Sequence, residues 1–126
     1  MSYRYLTADE LVALHRLLGS EGEVRADALA LAASRPALAA QYDNADLIHQ
    51  AALLMAGLVW DRPFAAGNRR LALAAGDAFI TLNGFLLNAD PLDLADQLIA
   101  LADAASFDES AAMLDRWLRR HVRFDG

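Results

Sequence analysis

The sequence predicts an all-α fold, one domain over residues 1–126 built as a bundle of about six helices around two buried central ones. Three observations carry this expectation. Apolar residues recur at spacings of three and four through most of the chain. Helix-start signals recur at Thr7-Ala8-Asp9-Glu10, Asp90-Pro91 and Ser106-Phe107-Asp108-Glu109, each setting a short oxygen-bearing side chain ahead of a run of helix formers. Two segments, Asn44 to Val59 and Asn68 to Asn83, are apolar around most of a helical circumference, which fits helices enclosed by others.

The elements follow in order. Thr7 is the N-cap of the first helix, with Glu10 three residues on to close a capping box. Leu11, Leu14, Leu17 and Leu18 share its inner face, and Gly19 ends it. The second helix covers Arg25 to Ser34, because Pro36 biases the residue before it away from helical geometry. Asn44 caps the third, which runs to Val59. A loop from Trp60 to Ala66 follows, its two aromatics read as core anchors. The fourth helix opens at Gly67 or Asn68 and stops at Asn83-Gly84. Asp90-Pro91 supplies N-cap and first turn of the fifth, to Ala102. The last runs from Ser106 to His121, packing through Leu114, Trp117, Leu118 and Val122. No strand, repeat or linker is expected.

Composition narrows the function classes. A chain of this length buries roughly two-thirds of its unfolded surface, and 56% apolar residues supply a core. The absence of cysteine excludes disulfides and thiolate metal sites and suits a reducing cytoplasm, the expected location. Net charge is −6, and every strong cation is Arg. That balance excludes a nucleic-acid surface as the main function, since phosphate backbones need clustered cations. No apolar run reaches the roughly 20 residues that span a bilayer, and no basic-then-apolar leader opens the chain. Arg116, Arg119, Arg120 and Arg123 cluster near the end of the last helix, where cations are favourable in any case.

The chemistry concentrates in the loop between the two central helices, Arg62-Pro63-Phe64-Ala65-Ala66-Gly67-Asn68-Arg69-Arg70. Gly67 lets backbone approach a ligand closely. The first turn of the following helix offers amides without intrahelical partners, which suits an anion. Arg69 and Arg70 sit at the positive end of the helix dipole, where cations are disfavoured by about 0.3–1 kcal/mol each. That conflict invites a bound anion or a carboxylate partner, with Asp61, Asp9 and Glu10 as candidates. A plainer reading has Asn68 capping the helix and both arginines paired to acids.

Pro63-Phe64-x-x-Gly67-Asn68-Arg69-Arg70 resembles the central motif of the Fic/Doc family, usually His-Pro-Phe-x-Asp/Glu-Gly-Asn followed by basic residues. It is most similar to the death-on-curing branch. Leu6-Thr7-x-x-Glu10-Leu11-x-x-Leu14-His15 resembles that branch's first helix, Val24 to Pro36 its second segment, and Arg70 to Gly84 the helix after the motif. The resemblance implies a helical fold and nucleotide-dependent modification of a protein hydroxyl. Most members transfer AMP; the death-on-curing branch is a toxin held by a small antitoxin and transfers phosphate from ATP to elongation factor Tu. Carried over by position, Phe64 is the loop anchor, Gly67 and Asn68 form and support the anion hole, and Arg69 and Arg70 hold phosphates.

Two positions depart from that pattern. Arg62 stands where the family has His, and Ala66 where it has an acid. The resemblance makes that His the general base and that acid a Mg²⁺ holder. Arg62 is always protonated and accepts no proton; Ala66 offers no oxygen to a hard cation. General-base help is worth roughly 10²–10⁴-fold. Asp61 is the nearest substitute as base or metal ligand, weighed against an Asp paired with Arg62 or Arg69. His49 lies ten residues before Val59, roughly 15 Å along the helix, too far to substitute, and is read as a core or groove histidine. His15 and His121 are given surface positions, and Asp77 a buried, paired one. The expected function is therefore a toxin-like protein that binds ATP or a related anion with weak or absent transferase activity. A divergent enzyme using Asp61 is a second reading. A module whose groove holds an antitoxin-like helix, or a second copy of the chain, is the third.

Overall fold

The computed structural model describes residues 2–20 and 22–126. Six helices dominate it: α1 (Ala8–Leu17), α2 (Ala26–Asp43), α3 (Leu47–Asp61), α4 (Asn68–Leu82), α5 (Pro91–Ala100) and α6 (Phe107–Arg119). A 3-10 turn, Leu101–Asp103, follows α5. The expected all-α class holds. Among the described residues no helix is long and apolar enough to cross a membrane.

α3 is the hub, with α2, α4 and α6 all packed on it, while α1 and α5 lie against α4. Leu54, Met55 and Leu58 of α3 and Leu71, Phe79 and Ile80 of α4 are fully enclosed. The two helices approach closely because Gly76 faces Met55: a Cβ there would lie 2.2 Å from Met55 Sδ. Thr7 and Glu10 form the reciprocal capping box, at 3.1 and 3.0 Å. Asp90 accepts from Leu92 N–H and Ser106 from Glu109 N–H, as their spacing predicts.

Several boundaries differ from expectation. α2 continues through Pro36 to Asp43. The ring removes one helical donor, yet Pro36, Ala32 and Ala39 are all buried on the inner face, and packing on α3 outweighs the lost bond. Asn44 does not start α3. It ends α2 in left-handed geometry, φ 53°, and Ala45 N–H returns to Ala39 O at 3.1 Å, a Schellman-type stop. Asp46 caps α3 instead, accepting from His49 N–H at 2.9 Å. A small antiparallel ribbon also forms, β1 (Phe85–Leu87) against β2 (Val122–Phe124), with Phe85 opposite Phe124. Three-residue strands are too short for alternation to reveal.

The start of α3 is tied to α6 by charge. Arg119 reaches Asp46 at 2.8 Å and Asp115 at 2.6 Å, and Asp115 accepts from His49 Nδ1 at 2.8 Å. His49 is thus a half-exposed hydrogen-bond partner of Asp115 and not a core residue. Hydrogen bonding from Arg119 holds Asp46 below the usual carboxylate range. Asp115 is also lowered: partial burial pushes it up, but Arg119 and His49 together outweigh that.

Because both folded carboxylates titrate below their ordinary value near 3.8, their contribution is complete above that pH and is lost as pH falls through the depressed values. Replacing Arg119 by Met should cost on the order of 1 kcal/mol at pH 7 and flatten the acid limb. Urea titrations at pH 7 and pH 3 measure both; equal losses at the two pH values would refute the coupling.

Candidate functional site

The loop joining α3 to α4 must place polar backbone between two apolar helices. Arg62 ends α3 in left-handed geometry, φ 47°. Pro63 and Phe64 then turn inward and are buried. Asn68 closes the loop on itself: Phe64 N–H donates to its Oδ1 at 3.0 Å, and its Nδ2 donates to Phe64 O at 2.8 Å. Asn68 is therefore not a helix cap. Gly67 holds the N-cap position, at φ +82° with no side-chain bond.

Two other segments, α1 and the approach to α2, brace this loop. Arg25 N–H donates to Pro63 O at 2.7 Å, and Val24 forms an antiparallel bridge with Phe64. The Arg25 guanidinium donates to the last carbonyls of α3, those of Asp61 and Arg62, which lack intrahelical partners. Arg70 Nη1 donates to Leu18 O at 3.0 Å, at the end of α1. His15, also from α1, is 2% exposed. Its ring stacks on Phe64 at 3.7 Å, and its Nε2 lies 2.9 Å from Ala66 O.

Above the loop lies a cleft of about 590 Å³. Arg62, Arg69 and Arg70 line it together with Gly67 and Asn68, and Ala66 forms part of the wall. All the residues assigned to anion binding from sequence thus meet on one cavity, with Phe64 beneath. The first helical bond of α4 runs from Leu71 N–H to Gly67 O at 2.9 Å, so the amides of Asn68, Arg69 and Arg70 have no partner within the helix. Three guanidinium groups and the positive end of a helix face one space.

The expected acidic partners are elsewhere. Asp61 pairs with Arg35 through both carboxylate oxygens, at 3.0 and 3.1 Å, and with neither Arg62 nor Arg69. Arg35 is itself fixed over the Phe107 ring at 4.1 Å and runs past Gly57, where a Cβ would meet it at 3.1 Å. Glu10 is spent in the α1 capping box. Among the described residues no carboxylate forms an ion pair with Arg62, Arg69 or Arg70, and Asp9 is exposed. Asp77 is exposed too, because its position in α4 faces away from α3. Trp60 is 37% exposed, so of the two aromatics it is Phe64 that anchors the loop in the core.

His15 is the residue that sequence reasoning missed. It was assigned to the surface, yet it is the most enclosed histidine and a direct support of the loop. The available signal was its spacing: Leu11 and His15 are one turn apart, on the buried face of α1. His121 is half-buried, stacked on Trp117 and bonded to Trp117 O at 2.7 Å.

The Fic/DOC family model matches residues 5–80, from the approach to α1 through nearly all of α4. No curated protein matches the chain. The matched stretch contains the whole braced loop and every cleft arginine.

Asn68→Ala removes the partner of two buried backbone groups at once. It should cost about 2–4 kcal/mol and lower the thermal midpoint, whereas Asn68→Asp, which keeps the acceptor for Phe64 N–H, should cost less. Calorimetric melting of both variants tests the order; equal midpoints would show that the Phe64 N–H bond to the residue-68 side-chain oxygen carries nothing.

Proposed function

Because the chain belongs to the Fic/DOC family, we propose that it is a death-on-curing-like protein that holds nucleotide phosphates on the α3–α4 loop but transfers them weakly or not at all. One observation carries this reading: three arginines and the α4 N-terminus share a cleft whose lining, among the described residues, includes no carboxylate and no imidazole. The donor set fits a polyphosphate. Guanidinium forks match phosphate oxygens in pairs, and the unpaired amides add dipole and hydrogen bonds. Bound ATP would bring the phosphoryl or adenylyl group to be moved.

Moving it requires a proton to leave the acceptor hydroxyl. Arg62 occupies the rim of the cleft and has no basic lone pair. Asp61, the proposed substitute, is held by Arg35, and its release would break a half-buried ion pair. His15 Nε2 is committed to Ala66 O. The residues present do not fit a protein-held Mg²⁺ either. Ala66 presents a methyl group, and among the described residues no three His, Cys, Asp or Glu come together. With neither base nor metal ligand lining the cleft among the described residues, what remains is binding: Arg62 adds a third cation where the family places its base.

Elongation factor Tu as target and a helical antitoxin as partner belong to the same reading, through the death-on-curing branch. A second reading, a partner-binding module with a vestigial loop, draws on one observation. Leu31, Leu38 and Tyr42 are exposed along one side of α2, by 49%, 47% and 73%.

Calorimetric titration should show ATP binding that EDTA leaves unchanged and that Arg69→Ala with Arg70→Ala removes. Absence of binding by the wild-type chain would sink the nucleotide reading and leave the module. In addition, Arg62→His combined with Ala66→Asp should raise ATP-dependent labelling of elongation factor Tu by roughly 10²-fold or more; an unchanged rate would mean that the missing base and acid are not what limits transfer.

A further inference from the structure

We infer that His15 is a positioning residue for the phosphate loop: by holding the Ala66 carbonyl toward α1, it turns the Gly67 amide N–H into the cleft. The inference rests on the phosphate-binding reading above but has its own geometry. The Ala66 carbonyl oxygen can only accept, so His15 Nε2 carries the proton in the 2.9 Å bond between them. The chain has no cis peptide bonds among the described residues. In a trans peptide the carbonyl and the next N–H point in opposite directions. With the Ala66 oxygen turned to α1, the Gly67 N–H is turned away from it, toward the cleft that Gly67 lines.

This constraint is needed because the neighbouring backbone is permissive. Gly67 is at φ +82°, a region glycine enters without strain and leaves as easily. Ala66 is exposed, so core packing does not fix its peptide plane. A flip of the Ala66–Gly67 peptide would replace an N–H with a carbonyl oxygen at the anion site, turning attraction into repulsion. Held as it is, Gly67 in left-handed geometry leads into the right-handed first turn of α4, and successive amides of this kind converge on an anion. His15 is well made for the task. It is 2% exposed, and its ring lies nearly parallel to Phe64, 12° apart, so the bond cannot swing. Ser20 closes the same side: a Cβ on Gly67 would lie 2.5 Å from Ser20 Oγ and 3.3 Å from His15 Nε2.

Two variants separate the bond from the packing. His15→Phe keeps a ring to stack on Phe64 but cannot donate; His15→Gln loses the ring but keeps a donor at similar reach. The readouts are the Gly67 and Asn68 amide signals and their hydrogen exchange in the free protein, and titration with inorganic pyrophosphate. For His15→Phe the Gly67 amide should shift and exchange faster, and pyrophosphate should bind roughly three- to tenfold more weakly, the loss of one hydrogen bond. His15→Gln should restore the amide signal and most of the affinity. An unchanged Gly67 amide in His15→Phe, or a folded His15→Gln that fails to restore it, overturns the inference. Should His15→Phe fail to fold, His15→Met replaces it, with the same loss expected against His15→Gln. If the wild-type chain binds no pyrophosphate, the phosphate reading falls, and the Gly67 amide alone decides the positioning role.

Discussion

The fold depends on how one stretch of polar backbone is satisfied between two apolar helices. α3 and α4 carry half of the enclosed core, and the chain must pass from one to the other in six residues, Arg62 to Gly67. A buried N–H or C=O left unpaired costs about 1–3 kcal/mol, comparable to a sizeable share of a small domain's stability. Asn68 settles the account for Phe64 with one planar amide that both accepts and donates. Arg25 takes the last carbonyls of α3, and His15 takes that of Ala66. The partners come from α1, the start of α2 and α4 itself, so the helices can pack only in an arrangement that also completes the loop. Fold and site are the same solution.

The charge distribution follows from that arrangement. The chain is acidic overall, at −6, yet the cleft is cationic. Two of its candidate acidic partners are engaged away from it: Asp61 on Arg35, Glu10 on the backbone of Thr7. The ion pairs of Asp46 and Asp115 with Arg119 lie at the opposite end of α3. Arg62 and Arg69 are left exposed beside the positive end of α4, while Arg70 is tied to Leu18 O, an arrangement the helix dipole does not favour.

Much of this was legible in the residues. The α1 capping box, the Ser106 cap and the Asp90-Pro91 start are local chemistry, fixed by side chains within four residues, and they appear where their spacing puts them. The cleft residues were legible because they are contiguous, Gly67 through Arg70. What escaped is set by contacts distant in sequence. Pro36 reads as a helix stop, and only the α3 surface beneath it says otherwise. Asn44 and Asp46 are both good caps; the left-handed turn at Asn44 decides which helix each serves. Asp61 looks available until Arg35, 26 residues earlier, is seen holding it. His15 looks superficial until Phe64 is laid on its ring.

These distinctions also say which residues bear on function. Phe64, Asn68 and Gly67 are demanded by folding: the first fills the core, the second pairs buried backbone, and the third takes a left-handed turn against Ser20 and His15. Their presence would be required of any chain using this loop, active or not, so they carry little weight as evidence of chemistry. Arg62 and Arg69 are different. Both are exposed, neither side chain forms an ion pair among the described residues, and the dipole of α4 opposes Arg69. Stability gives no reason for them. Arg70 is intermediate, since its bond to Leu18 O ties α4 to α1. On the reading proposed above, the functional content of the loop lies in its least structural members, whose exposed guanidinium groups at a helix N-terminus would supply affinity for an anion.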